Sequence, residues 1–494
     1  MSTQAPKLQN TRLLRDKAYI NGEWVGGSKT FDVFDPATGN KLGSCPDLGI
    51  SETQSAIQAA HAAFPTFSRL PARQRSNILR TWFNLMHENK SDLARLCTLE
   101  NGKPTADATG EVTYAASFLE WFSEEAVRIY GDTISSSTPT SRIITLKQPV
   151  GVVGLMTPWN FPLAMLTRKV GPALAAGCTV VVKAPSETPL SALALAELAE
   201  KAGVPRGVFN VITTHEHTAE IGKELCENPT VKKVSFTGST NVGKLLMKQS
   251  SSTLKKLSFE LGGNAPFIVF DDADVDEAVA GAVASKFRSS GQTCVCANRI
   301  YVQRGIYDQF VEKLTEKVKG FKVGNGLEEG VTHGPLIHGN AVDKVQKQVE
   351  DAVKKGGKVL IGGKKAEHLG PNFFEPTVIR DMTDDMTLCS EETFGPIAGI
   401  FPFETEEEVV SRANAADVGL AGYFFSKDLG RIWRIAEGLE VGMVGVNTGL
   451  VSDVASPFGG IKESGFGREG SKYGIDEYQV MKSVTFGGLK PLKL

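Results

Sequence analysis

Two kinds of hydrophobic pattern divide the chain. Between residues 51 and 130 apolar positions recur at helical spacing, and Ser51 with Gln54 reads as a capping box ahead of an Ala-rich segment. The run 105–129 carries Phe118, Trp121, Phe122, Val127 and Ile129, and its pattern predicts core packing rather than a ligand box. From about residue 150 short apolar runs alternate with helical stretches. Strands are predicted at 150–156, 179–184, 208–212, 233–237 and 256–260, with helices at 163–176, 190–202, 219–227 and 243–249 between them. Repeated alternation of this kind predicts a parallel, doubly wound α/β sheet, whose ligands lie beyond the carboxyl ends of the strands.

A second α/β region starts at the strand 266–270. It continues through a helix at 274–288 and a strand at 299–303, with further alternation to about 446. Segments 133–146, with Pro139 in the turn, and 479–486 read as β-hairpin material. Such an arm needs another surface to cover its edges, which points to a homo-oligomer, dimer or tetramer.

Composition narrows the classes. The 494 residues carry 54 basic and 56 acidic side chains, a net charge of −2 that favours neither a nucleic-acid nor a membrane partner. Seven scattered cysteines make no disulfide framework and fit a reducing compartment. No apolar run approaches the roughly 18 residues of a membrane span. Residues 1–16 lack the apolar core of a secretory signal, so a cytoplasmic location is expected.

The chemistry sits at the predicted strand ends. Cys294, in Gly291-Gln292-Thr293-Cys294-Val295-Cys296, is a cysteine in a Gly-led polar turn. Its thiolate is the reactive form, so it needs a base or a positive environment, and no His lies near it in sequence. Glu260, followed by Leu261-Gly262-Gly263, is a carboxylate suited to that role. Asn160, fixed between Pro158 and Pro162, is a candidate oxyanion donor. Gly238-Ser239 opens a helix after a strand, where free N–H groups bind phosphate. The spacing Gly238-x4-Gly243-Lys244 imitates a P-loop, but Leu245 stands where a Mg²⁺-binding Ser/Thr belongs, so a dinucleotide pyrophosphate is favoured over NTP hydrolysis. Lys183, ending another strand, is placed to contact ribose or phosphate. No metal-ligand cluster is visible in the sequence.

Together these motifs resemble the aldehyde dehydrogenase superfamily. Adding Lys183-Ala184-Pro185-Ser186-Glu187-Thr188-Pro189, Glu391-Glu392-Thr393-Phe394-Gly395-Pro396 and Pro457-Phe458-Gly459-Gly460, seven motifs follow the family's order across nearly the whole chain. Within the superfamily the chain is most similar to succinate-semialdehyde dehydrogenases, the fungal ones in particular. The resemblance implies a nucleophile at Cys294, a base at Glu260, and an oxyanion hole from Asn160 and the Cys294 N–H. It implies nucleotide contacts from Trp159, Lys183, Ser186, Gly238, Ser239, Leu261, Glu392 and Phe394. Serine at 186, where NAD-specific relatives often carry glutamate, implies NADP, with NAD also possible. Arg168, Arg288 and Ser452 match the positions that hold the distal carboxylate of succinate semialdehyde. Glutarate semialdehyde, one methylene longer, and other non-phosphorylating aldehyde oxidations are the alternatives. The product, succinate, implies a place in 4-aminobutyrate breakdown. Cys296, two residues past the nucleophile, implies a strained, labile disulfide with Cys294.

The expected organisation follows. Residues 1–132 and 152–262 form a dinucleotide-binding domain, 263–475 a catalytic domain, and 133–151 with 476–494 an oligomerisation arm.

Overall fold

The computed structural model describes residues 6–490 and contains both large sheets. The parallel strands of the first run in the spatial order Phe209–Ile212, Thr179–Lys183, Val152–Met156, Val231–Thr237 and Lys256–Glu260. The order reverses between Val152–Met156 and Val231–Thr237, and a crevice opens beyond the carboxyl ends at such a reversal. These strands read as continuous apolar runs because both faces are covered: Val180, Val181 and Val182 are all fully buried.

Ala18–Ile20 and Glu23–Val25 extend this sheet at one edge, antiparallel to it. Gly465–Phe466 closes the other edge against Phe259 and Glu260. That pairing brings a piece of the 263–475 stretch into the first sheet. Two residues are too short to show any periodicity.

The second sheet has the order Lys358–Ile361, Thr377–Arg380, Ile397–Phe403, Ala297–Gln303, Ala265–Val269, Ala421–Phe425, Met443–Val446, parallel except at its first strand. Thr133–Ser135, Arg142–Pro149 and Gln479–Phe486 form a three-stranded antiparallel arm, with Gln479 opposite Pro149 and Phe486 opposite Arg142. Ile134, Leu146, Val480, Met481 and Phe486 are exposed on it. Residues 491–494 of the expected arm, and residues 1–5, lie outside the described residues.

The helical region is four helices, Ile50–Phe67, Ala72–Glu88, Lys90–Asn101 and Thr105–Glu125. Phe118 and Phe122 are buried in the core, as the pattern predicted. The first helix starts one step earlier than expected. Gly49 is its N-cap, and the Glu52 carboxylate accepts the Gly49 N–H, so Ser51 and Gln54 are not the capping pair. The helix predicted at 243–249 is Thr240–Ser250, capped by Ser239. Its polar first turn carries no apolar signal. Among the described residues no helix is long and apolar enough to cross a membrane.

Candidate active site

The thiol loop is held by unusual backbone. Ser289 and Ser290 adopt left-handed conformations (φ 48° and 56°) ahead of Gly291 (φ 77°). Non-glycine residues persist there only when their surroundings hold them. Here the Ser289 N–H donates to Asp107 Oδ2 at 3.0 Å, and Ser290 Oγ donates to the Gly334 carbonyl at 2.9 Å. Gly291 is obligatory in space as well, since a Cβ would lie 2.2 Å from the Gly395 carbonyl oxygen. The buried Gln292 side chain ties the loop down from both ends of its amide. Its Oε1 accepts the Ile337 N–H at 2.9 Å, and its Nε2 donates to the Ser289 and Pro335 carbonyls.

Three predicted residues converge here. Asn160 is buried and donates one Nδ2 hydrogen to the Gln292 carbonyl at 3.1 Å, which leaves its second hydrogen for an oxyanion. The Cys294 N–H donates to no acceptor among the described residues. Glu260 ends its strand buried, with Oε2 unpartnered. The second glycine after it, Gly263, is there for space. A Cβ on Gly263 would lie 2.5 Å from the Cys294 carbonyl oxygen, and one on Gly262 would lie 3.4 Å from Glu392 Oε2.

Burial disfavours the charged forms of both base and nucleophile. Burial pushes the Cys294 thiol up to about 12, the Glu260 charge adds to this, and Arg168 opposes it. Burial also raises Glu260 well above the ordinary carboxylate range, helped by the negative charge of Glu469. Arg168 and Lys169 pull Glu260 the other way. Glu469 bonds Lys169 Nζ and pairs with Arg168, and this holds its own pKa down.

A cavity of about 490 Å³ runs from Gly238 and Ser239 to Cys294. Trp159, Leu261, Glu392 and Phe394 also line it. Trp159 and Phe394 meet edge to face at 5.6 Å. Glu392 Oε1 accepts the Gly263 N–H at 3.2 Å, and burial raises its pKa to about 7. Ser239 caps its helix with no side-chain bond to the first turn, so those N–H groups face the cavity unspent. Lys244 pairs with Glu463 at 2.7 Å rather than serving a phosphate, in keeping with the missing P-loop residue. Lys183 is half-buried, and desolvation lowers its pKa, while Ser186 Oγ donates to Glu187 at 3.1 Å. Ser186 lines a neighbouring groove of about 390 Å³ with Glu187 and His215. These features fit a dinucleotide: a helix N-terminus, a glycine cradle and a carboxylate facing it.

On the other side of Cys294 the three expected carboxylate contacts differ in state. Arg168 is fully buried, stacked on Phe458 at 4.2 Å and ion-paired with Glu469. Glu469 also serves Lys169, so one carboxylate faces two buried cations, and Arg168 Nη2 meets the Met165 sulfur. Arg288 is half-buried, 5.2 Å from the Phe161 ring, and pairs with no carboxylate among the described residues. Ser452 is half-buried in the loop after Met443–Val446. Cys296 is buried beside Cys294 as a free thiol, its Sγ 3.3 Å from the Gly291 carbonyl.

Several participants gave no usable sequence signal. Lys103 donates to the Asn160 carbonyl at 2.7 Å and pairs with Glu111, which also accepts the Leu163 N–H at 2.9 Å. Asn101 donates to the Trp159 carbonyl at 3.0 Å. Asn-Gly-Lys-Pro at 101–104 is a turn signature, and nothing in it announces a partner so far along the chain. Asp47, Glu216 and His217 bring ligand atoms within 4.8 Å of one another, a cluster invisible in sequence, but none of them lines the cavity.

Comparisons with known proteins find relatives along nearly the whole chain. The NADP(+) succinate-semialdehyde dehydrogenase 1 of Schizosaccharomyces pombe is 60% identical, covering 96% of this chain and 95% of its own. The glutarate-semialdehyde dehydrogenase of Pseudomonas aeruginosa is 56% identical, covering 98% and 100%. A crystal structure of succinate-semialdehyde dehydrogenase from Burkholderia pseudomallei superposes with a TM-score of 0.96 at 54% identity, covering 97% and 100%. The model of the aldehyde dehydrogenase family matches residues 24–484, and the chain belongs to that family.

Proposed function

We propose that the chain oxidises succinate semialdehyde to succinate, with NADP⁺ as the preferred hydride acceptor. The observation that carries the substrate is Arg288, a half-buried guanidinium beside the thiol loop with no carboxylate of its own. A distal carboxylate supplies the missing partner. A relative of the same full length is named for glutarate semialdehyde. One methylene separates the two substrates, and a flexible pocket separates them by only about 1–3 kcal/mol.

Glu260, once ionised, takes the Cys294 proton directly or through water. The thiolate adds to the aldehyde carbon, and the oxygen that becomes negative is met by Asn160 Nδ2 and the Cys294 N–H. Hydride loss from this tetrahedral adduct leaves a thioester on Cys294. When bound, the nicotinamide supplies the hydride acceptor. Glu392 and the Ser239 helix N-terminus would hold the nucleotide, and Phe394 and Trp159 line the same cavity as Cys294. Glu260 then activates water, which cleaves the thioester and frees the acid. Ser186 in place of a carboxylate removes repulsion from a 2′-phosphate. Arg168, ion-paired with Glu469, favours the thiolate at Cys294, while Arg288 and Ser452 receive the substrate's carboxylate.

The partition into 1–132 with 152–262, 263–475, and the arm at 133–151 with 476–494 belongs to the same reading. So does a homo-oligomer whose contacts cover the exposed apolar side chains of the arm. The seven free thiols favour a cytoplasmic setting.

The test is absorbance at 340 nm with succinate semialdehyde and with butanal, each with NADP⁺ and NAD⁺. Reduction that strongly prefers the semialdehyde supports the reading. Equal rates with butanal remove the substrate assignment.

A further inference from the structure

Tyr114 lies on Thr105–Glu125, the helix that packs against Ala164–Ala176, where Arg168 sits. Its ring meets Phe118 edge to face at 4.8 Å, which fixes the phenol's direction. The hydroxyl at the far end is buried and lies within hydrogen-bonding reach of the Arg168 guanidinium, which can only donate, so the phenol's own hydrogen has no acceptor. Buried polar groups are nearly always paired, so an orphan beside a reactive centre asks what completes it. The groups facing it are the guanidinium groups of Arg168 and Arg288 and the thiol of Cys294. Arg168 is committed to Glu469, and its Nη2 rests 3.1 Å from the Met165 sulfur, a weak acceptor. The donors in this corner that lack an acceptor oxygen therefore include the Tyr114 hydroxyl and the Arg288 guanidinium.

We propose that Tyr114 is a specificity residue whose hydroxyl donates a hydrogen bond to the substrate's distal carboxylate, alongside Arg288. The inference rests on the succinate-semialdehyde reading and adds to it a neutral donor that the charged residues do not supply. Burial raises the phenol's pKa, so the proton is retained and the group remains a donor. A carboxylate oxygen can accept from Tyr114 and Arg288 together, because each oxygen has two lone pairs. A neutral aldehyde of the same length leaves the hydroxyl as orphaned as it is in the free chain. The group thus favours the carboxylated substrate and penalises no other.

The experiment measures kcat/KM for succinate semialdehyde and for butanal in the wild-type chain and in Tyr114→Phe. The ratio of the two is independent of how much protein is folded. Loss of one hydrogen bond to a charged group lowers the ratio by about tenfold or more, mainly through the KM for succinate semialdehyde. A wild-type ratio retained in Tyr114→Phe overturns the inference and leaves the substrate assignment intact. A wild-type chain with no preference for the semialdehyde overturns both. Succinate, titrated as a dead-end ligand by calorimetry, gives a second readout. Its Kd rises by the same factor in Tyr114→Phe, and an unchanged Kd counts against the contact.

Discussion

The carbonyl oxygen of Cys294 occupies the space a side chain on Gly263 would need, at 2.5 Å from the Cβ position. The strand that ends in Glu260 and the loop that carries the nucleophile are therefore pressed together backbone to backbone. Gly263→Ala is expected to push the thiol loop away from Glu260. A misplacement of about 1 Å costs on the order of 100-fold in rate, so kcat should fall by that much while the melting temperature moves little. Steady-state kinetics beside thermal unfolding check this, and a variant with full kcat would show that the close approach is incidental.

The pH dependence follows from two raised pKa values. Glu260 works as a base only when ionised, and burial with the negative Glu469 nearby raises its pKa. The acid limb of kcat/KM should therefore lie above the ordinary carboxylate range, and activity should climb from neutral into alkaline solution, where the Cys294 thiol also ionises more readily. Glu469→Gln removes a charge that raises Glu260 and frees Arg168 and Lys169, which lower it. Both changes have the same sign, so the limb should move to lower pH. A limb that stays in place, or moves up, would assign it to another group.

Nucleotide choice is concentrated at one small side chain. Ser186→Glu places a carboxylate where Ser186 Oγ now donates to Glu187. Repulsion of the 2′-phosphate should cut kcat/KM for NADP⁺ by about tenfold or more, with a smaller effect on NAD⁺. Unchanged discrimination would place the phosphate elsewhere.

Cys296 bears on oxidation rather than turnover. Both cysteines are free thiols, and Cys296 is turned toward the Gly291 carbonyl. Peroxide should inactivate the chain, and a dithiol should restore most of its activity if Cys296 resolves the oxidised Cys294 as a disulfide. In Cys296→Ala the oxidised nucleophile has no such partner and moves on to irreversible acids, so recovery should fall severalfold. Equal recovery in the two proteins would remove Cys296 from the process.

Much of this was legible in the chain. Strands buried on both faces, such as Thr179–Lys183, announce themselves as apolar runs. Residues at their ends, Asn160, Glu260 and Gly238, are placed by topology alone. What failed had a physical reason in each case. The helix at Thr240–Ser250 starts on a polar turn that helical periodicity does not mark. The ion pair of Arg168 went unseen because its partner, Glu469, lies far along the chain in a stretch with no motif of its own. Gln292, Lys103 and Tyr114 act through single hydrogen-bonding atoms, and one such atom leaves no pattern in a sequence.

The short strand Gly465–Phe466 has a consequence for biosynthesis. It closes the sheet edge beside Glu260, the Ser464 hydroxyl bonds the Gly262 carbonyl, and Glu469 pairs with Arg168 behind the thiol. Each of these contacts joins residues that precede Cys294 to a segment made well after it. A ribosome releases the N-terminal part first, at about 5–20 residues per second. A growing chain that has passed Cys294 thus carries its nucleophile for several seconds with the base, the field and the sheet edge still incomplete. The reactive thiol is completed only after the segment 464–469, which closes its surroundings, has emerged.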